Sequence, residues 1–249
     1  MATTRNALVF DIETVADLTP DNRAAVAVLA AHREQMSPEH YGALCPPLAR
    51  IVCIAWLALD SDRMGAVVDA SLCPDAPPPS LNVTDGRHPG KAVRACPLQA
   101  CDGERDLLRA FGTLVERHCQ QPNAQLATFN GRGFDLPVLV HRAIRHDVSE
   151  GRTLLLRAAR ENRFNPVLHL DLMEAVTFSG AAPRWPMAAY AIGYGHPSPK
   201  DDMDGSQVGP AVQAGRILDV VRYCAGDVIA TAHIYRALPA AMTAGGNAR

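Results

Sequence analysis

Short apolar runs alternate with amphipathic stretches along the chain, a pattern typical of an α/β protein. The run from Ala7 to Ile12 predicts a first strand, and the run from Arg50 to Asp60 predicts a fully buried one. Gly65 to Leu72 has the pattern of a hairpin partner for that buried strand. Two shorter strands are predicted at Gln125 to Phe129 and at Val167 to Leu172. Together these segments predict a mixed β-sheet.

Helical spacing of apolar residues predicts helices that flank this sheet. The predicted helices cover residues 20–35, Asp102–Gln121, Phe134–His146, Pro186–Ile192 and Gly215–Leu238. In the first of them Ala24, Val28 and Ala31 have helical spacing, and Asp21 is a candidate N-cap.

The domain organisation follows from a proline-rich stretch at residues 74–90. The alternation of strands and helices resumes unchanged beyond it, which favours a loop inside one domain over a linker between two. We therefore expect a single domain over residues 1–243. The Gly/Ala-rich end, residues 244–249, is expected to be a disordered tail.

Composition excludes several classes of protein. Hydrophobic residues make up 48% of the 249 residues, yet the longest apolar runs are far shorter than the ~20 residues that span a bilayer. No signal-type stretch follows the first residues. The seven cysteines are scattered without a C-x-x-C pair, which argues against a disulfide framework or a zinc site and favours the cytoplasm. A net charge of −2 argues against a protein that coats long nucleic acid.

Two carboxylates close the first predicted strand. Asp11 and Glu13 are separated only by Ile12, so both side chains project from the same face with Cα atoms ~6.6 Å apart. Like charges this close raise each other's pKa, and a divalent cation such as Mg²⁺ or Mn²⁺ would neutralise them. The alternative is that the strand simply ends there and both acids face water.

Two further acidic stretches come later in the chain. In the first, a short strand ends at Asn130, a Gly-Arg-Gly turn follows, and Phe134 and Asp135 begin a helix. An N-cap role would explain Asp135 alone. In the second, Tyr223 and Asp227 are four residues apart on one helical face, and an exposed pair is the alternative to a paired or metal-bound aspartate.

In order and spacing, the three stretches resemble the three motifs of the DEDD family of 3′–5′ exonucleases, in its tyrosine branch, DEDDy. The sequence looks closest to bacterial stand-alone proteins similar to the proofreading domain of family B DNA polymerases. The likeness includes "HLDL" at 169–172 and "PSPKDDMDGSQV" before the last helix, and it covers nearly the whole chain. It implies a ribonuclease H-like fold, a mixed β-sheet flanked by α-helices.

The resemblance also implies a mechanism. Asp11, Glu13, Asp135 and Asp227 would hold two divalent ions, Mg²⁺ or Mn²⁺, ~3.5–4 Å apart, and Tyr223 would orient the attacking water. The substrate would be the 3′ end of a nucleic acid, with single-stranded DNA favoured and RNA possible, and the products nucleoside monophosphates.

Five residues are candidates for binding this substrate. Thr14 and Phe134 are expected near the metals, Arg132 and Lys200 at phosphates, and Asn130 is grouped with them from the second motif.

Several alternatives stay open. A non-catalytic ribonuclease H-like module would bind nucleic-acid ends or a repair or replication partner without turnover. A phosphoesterase acting on small nucleotides and a plain structural α/β protein are the other candidates. A second i, i+2 pair, His169 and Asp171, has either a supporting role or is a solvent-exposed pair on an edge strand. Strand preference, oligomeric state, pathway and the role of the 74–90 loop are not determined by the sequence.

Overall fold

One mixed sheet forms the centre of the fold. The computed structural model describes residues 6–32, 36–84, 93–196 and 203–243. Within these ranges the sheet has the strand order β4-β5-β3-β2-β1-β6-β7. The strands are β1 (Asn6–Ala16), β2 (Ala49–Ala58), β3 (Arg63–Asp69), β4 (Ser80–Thr84), β5 (Val93–Cys101), β6 (Ala124–Thr128) and β7 (His169–Asp171).

The pairing of these strands has two parts. β1, β2 and β3 form an antiparallel meander, which confirms the predicted hairpin. On the other side of β1, β6 and then β7 are added in parallel. An antiparallel meander continued by parallel strands gives the order β3-β2-β1-β6-β7, which is the predicted ribonuclease H-like arrangement. β5 extends the sheet by pairing parallel to β3, and β4 pairs antiparallel to β5.

Helices cover both faces of the sheet. They are α1 (Pro20–Ala31), α2 (Pro38–Leu44), α3 (Glu104–Cys119), α4 (Asp135–Arg145), α5 (Arg152–Arg160), α6 (Leu172–Val176), α7 (Met187–Gly193), α8 (Val208–Gln213), α9 (Ile217–Ala237) and α10 (Ala240–Thr243). α9 packs against β1 and β2 on one face, and α3 and α4 pack on the other. Among the described helices, none is both long and apolar enough to cross a bilayer.

The alternation of side chains in β1 explains how two separate cores form. Ala7 and Val9 point into the core beneath α9, whereas Leu8 and Phe10 point into the core beneath α3 and α4. The ring of Phe10 lies 5.1 Å from that of Phe111 on α3. Because odd-numbered positions of β1 face α9, the acids at positions 11 and 13 are directed to that helix as well.

A buried ion cluster lies near the end of β1, on the side of the sheet that α3 and α4 cover. The guanidinium of Arg142 is 1% exposed and donates to the carboxylates of Glu104 and Asp17 and to the carbonyl of Pro47. His146 contacts the same Glu104 carboxylate at 2.8 Å. The cluster therefore ties the segment after β1 to the N-terminus of α3 and to α4.

The first helix is correctly predicted, but its buried face is not. α1 begins after Thr19, which is the N-cap in place of Asp21, and ends at Ala31; residues 33–35 lie outside the described ranges. Val26 and Ala30 are its buried residues, whereas Val28 is 61% exposed. The helix is only weakly amphipathic because alanines occupy most of its surface, so the sequence pattern did not identify the inward face.

The predicted proline-rich loop is only partly a loop. Residues 80–84 form β4, and residues 85–92 lie outside the described ranges. β5, which was not predicted, contains Pro97 and few buried side chains, as expected near a sheet edge. The predicted strand from Val167 to Leu172 shortens to β7, since Leu172 begins α6. The single-domain organisation stays a prediction, and residues 244–249 lie outside the described ranges.

Candidate active site

β1 supplies two carboxylates where its pairing with β6 has ended. The parallel ladder to β6 stops at Val9, so the backbone beyond it is not covered by a strand on that side. The register between β1 and β2 also shifts between Glu13 and Thr14. Asp11 and Glu13 therefore lie on one face of a strand whose edge is open to other groups.

α4 brings Asp135 to this open edge. Asp135 is the first residue of the helix and 4% exposed, and the backbone N–H of Ile12 is a hydrogen-bond donor to its carboxylate. The turn before it is tight: Asn130 has a φ of 66°, and a Cβ on Gly131 would lie 2.3 Å from the Thr128 hydroxyl oxygen. The glycine is thus required for the close approach that places Asp135 beside β1.

α9 brings three polar residues over the same face of the sheet. Asp227 is 8% exposed and Tyr223, one turn earlier, is half-buried and hydrogen-bonded to its carboxylate. Between them, the Cys224 thiol lies 3.3 Å from the carbonyl oxygen of Asp11 and 3.7 Å from its Oδ2. The sequence predictions did not include Cys224, although its position one residue after the motif tyrosine was a signal.

The electrostatics of the site are those of crowded, buried acids. Burial, and then the charges of Asp135 and Asp227, raise the pKa of Asp11 well above its usual value. Burial and the neighbouring Asp11 do the same to the pKa of Glu13. Burial raises the pKa of Asp135 to about 7, against the opposing effect of two backbone N–H groups. Burial and the same acids raise the pKa of the Tyr223 phenol.

These residues fit a divalent cation. Ligand atoms of Asp11, Glu13 and Cys224 lie within 4.8 Å of one another. Asp135 and Asp227 are outside this tightest group but close enough to act on the Asp11 charge. The Oδ1 atom of Asp135 is buried without a hydrogen-bond partner, a costly state that a bound cation would relieve.

The predicted substrate-binding residues differ in where they lie. Thr14 is almost buried, donates to the carbonyl oxygen of Ala43 at 2.9 Å and lines a cavity of about 580 Å³ together with Asp17 and Arg50. Phe134 is half-buried against the core beneath α4, and Asn130 is exposed. Lys200 lies outside the described residues.

Arg132 has a position that argues against the predicted phosphate contact. Its guanidinium is held inside the protein, where it pairs with Glu174 at 3.0 Å and donates to the carbonyl oxygens of Ala158 and Glu161. Only about a tenth of the side chain is exposed. A guanidinium already bonded to these groups is a structural anchor for the turn that precedes Asp135.

The pair formed by His169 and Asp171 is buried, so the alternative of a solvent-exposed pair is wrong. Asp171 accepts hydrogen bonds from the backbone N–H groups of Asn130, Arg132 and Met173. His169 contacts the Thr128 hydroxyl at 2.8 Å, and burial lowers its pKa to about 3, so the ring is neutral. Both residues support the turn that positions Asp135.

Fold and site together define a ribonuclease H-like α/β protein with a buried acidic centre suited to a cation. Residues 88–243 match the family described as predicted 3′–5′ exonucleases related to the exonuclease domain of PolB. Since the match covers more than half of the chain, the protein belongs to that family, and a nuclease function follows. The match includes Asp135 and Asp227 but not Asp11 and Glu13, which the fold adds. No curated protein matches the chain.

Proposed function

We propose that the protein is a 3′–5′ exonuclease that hydrolyses terminal phosphodiester bonds of single-stranded nucleic acid, with DNA favoured, and releases nucleoside monophosphates. One observation carries the proposal: carboxylates from β1, α4 and α9 converge at one buried place, and Oδ1 of Asp135 has no hydrogen-bond partner there. A fold tolerates such a group of acids when a ligand neutralises them.

In this proposal, Asp11, Glu13, Asp135 and Asp227 hold two Mg²⁺ or Mn²⁺ ions. Carboxylate oxygens are the donors these ions prefer. When bound, such a pair of ions provides a hydroxide at neutral pH and stabilises the oxygen that leaves. The raised pKa values of Asp11 and Glu13 support the assignment, because burial and then the neighbouring carboxylates disfavour the charged form of each acid, and at Asp11 the hydrogen bond from Cys224 opposes this.

In this proposal the protein's own side chains position the attacking water and the substrate. Tyr223 stays protonated at working pH because burial and the surrounding acids raise its pKa. Its hydroxyl is held by the Asp227 carboxylate and is therefore fixed in a position to orient the attacking water. The cavity of about 580 Å³ that is lined by Thr14 and by Arg50 is large enough for the end of a nucleic-acid strand.

We place the enzyme in the cytoplasm. All seven cysteines are free thiols, and six of the seven belong to the sheet, to its two cores or to partly buried positions packed on them. Free thiols are typical of a reducing compartment.

The test is a digest of a 5′-labelled single-stranded DNA and a matching RNA with Mg²⁺, with Mn²⁺ and with EDTA. We expect a metal-dependent ladder that shortens from the 3′ end, and we expect Asp11→Asn to abolish it without unfolding the protein. Asp102→Asn is the matched control, because Asp102 is an exposed aspartate outside the site.

Each outcome of this digest is informative. Wild-type turnover by Asp11→Asn would show that the site is wrongly assigned. No ladder on either strand, with binding intact, would favour a non-catalytic module, and hydrolysis restricted to small nucleotides would favour a phosphoesterase.

A further inference from the structure

A thiol is part of the acidic centre: Cys224 donates to the carbonyl oxygen and to the carboxylate of Asp11, and it is not a ligand that hard cations prefer. Sγ of Cys224 lies 3.7 Å from Oδ2 of Asp11, and its separation from the nearest Glu13 ligand atom is within 4.8 Å. Cys224 is fully buried, and α9 holds it over β1. Mg²⁺ binds oxygen ligands, whereas Zn²⁺ and similar ions bind thiolate and carboxylate together.

The separation of the donors fits a tetrahedral site. Zn–S bonds of ~2.3 Å and Zn–O bonds of ~2.1 Å at a tetrahedral angle place sulfur and oxygen about 3.6 Å apart. The observed distance between Cys224 Sγ and Asp11 Oδ2 is 3.7 Å. These two side chains are therefore already spaced as neighbouring ligands of one ion.

A further carboxylate lies beside this group, outside its 4.8 Å limit, on a different element. Asp135, on α4, is 4% exposed, and its buried Oδ1 atom has no hydrogen-bond partner. Among the neighbouring charges, that of Asp135 raises the pKa of Asp11 most, so the two carboxylates lie near each other. This atom is independent evidence for a ligand, because a buried acceptor without a donor is costly.

We propose that Asp11, Glu13 and Cys224, with the Asp135 carboxylate beside them, form a site for a single thiophilic divalent ion such as Zn²⁺ or Cd²⁺. On binding, the thiol S–H bond breaks, the metal–sulfur bond forms, and the proton passes to solvent. Because the site shares carboxylates with the proposed Mg²⁺ or Mn²⁺ ligands, occupation by the thiophilic ion would inhibit the exonuclease. Only this last consequence rests on the proposed function.

The test is spectroscopic and needs no nucleic acid. The purified, metal-free protein is titrated with Co²⁺ and with Cd²⁺ while the ultraviolet absorption of thiolate-to-metal charge transfer is recorded. We expect a band that saturates at one ion per chain and is lost in Cys224→Ala. The matched control is Cys53→Ala, because Cys53 is equally buried and contacts the Cys224 thiol. This control is expected to retain the band.

A second variant keeps the proposal testable if Cys224→Ala does not fold. Asp11→Asn retains the thiol, and we expect it to weaken Cd²⁺ binding by at least about tenfold, since loss of even an outer-shell partner costs 10–100-fold. Circular dichroism checks that each variant is folded. The proposal is overturned if wild type shows no band, if the band survives in Cys224→Ala, or if Asp11→Asn binds Cd²⁺ like wild type. If the band forms but the protein digests no nucleic acid with Mg²⁺ or Mn²⁺ in the absence of Co²⁺ and Cd²⁺, the proposed function alone is refuted.

Discussion

The most direct prediction concerns the Asp135 carboxylate. Burial raises its pKa from 3.8 to about 7, and the backbone N–H groups beside it only partly oppose this. At 1.36 kcal/mol per pKa unit, the rise corresponds to about 4 kcal/mol by which the ionised carboxylate destabilises the metal-free protein above pH 7. Asp135→Asn retains the shape of the side chain and removes the charge. We therefore expect it to raise the free energy of unfolding by up to about 4 kcal/mol in EDTA.

The raised pKa of Asp135 also determines whether the unfolding free energy of wild type rises or falls with pH. Between pH 4 and pH 7 the unfolded chain has lost the Asp135 proton and the folded protein still holds it. The folded state then binds more protons, so wild-type stability falls as pH rises through this window and is level above it. The advantage of Asp135→Asn should accordingly be largest at pH 8, shrink to about 2 kcal/mol at pH 5 and vanish below pH 4.

The assay is urea unfolding at these three pH values, with EDTA and with Mg²⁺. Saturating Mg²⁺ should stabilise wild type and have far less effect on Asp135→Asn, because the ion stabilises the state that binds it. The variant should also lose exonuclease activity. Two results would refute the reasoning: an Asp135→Asn variant that is less stable than wild type at pH 8 in EDTA, or a gain in unfolding free energy that does not change with pH. Either result would show that other groups already compensate the Asp135 charge.

Three further predictions test other parts of the structure. Arg142→Met should cost about 3–5 kcal/mol in urea unfolding because it leaves Glu104 buried without its main partner, whereas the exposed Arg145→Met should cost less than about 1 kcal/mol. Tyr223→Phe should lower kcat by about 10²-fold with metal affinity unchanged by calorimetry, since only the water-orienting hydroxyl is lost; an unchanged kcat would contradict that role. Gly131→Ala should cost about 1–3 kcal/mol in thermal unfolding, because its Cβ would overlap a threonine side chain, and equal stability would contradict it.

The sheet and the elements that carry the acids were predictable because their patterns are strong. β1 and β2 are long apolar runs, and α3 and α9 repeat apolar residues at helical spacing. Asp11 and Glu13 share a face because strand periodicity requires it. The periodicity of apolar residues and the spacing of the two acids are local properties of the chain, so they can be recognised from the sequence alone.

Other features depend on contacts between distant segments. β4 is only five residues long and β5 has few buried side chains, so both depend on pairing with a neighbouring strand and leave little trace in a hydrophobic pattern. Arg132 has the residue type of a phosphate ligand, yet its partner Glu174 is 42 residues away along the chain. Cys224 becomes a neighbour of Asp11 only when α9 packs on β1, across 213 residues.

Hydrogen bonding distinguishes two buried aspartates that the sequence presents as equals. Asp171 is the last residue of β7 and the N-cap of α6, and Asp135 is the first residue of α4, so both lie at the start of a helix. Asp171 accepts three backbone N–H bonds through its two oxygens, so the protein itself satisfies its charge and no cation is needed. Asp135 has a buried oxygen with no donor. Asp171 therefore stabilises the turn, whereas Asp135 is the acid that the turn makes available to a ligand.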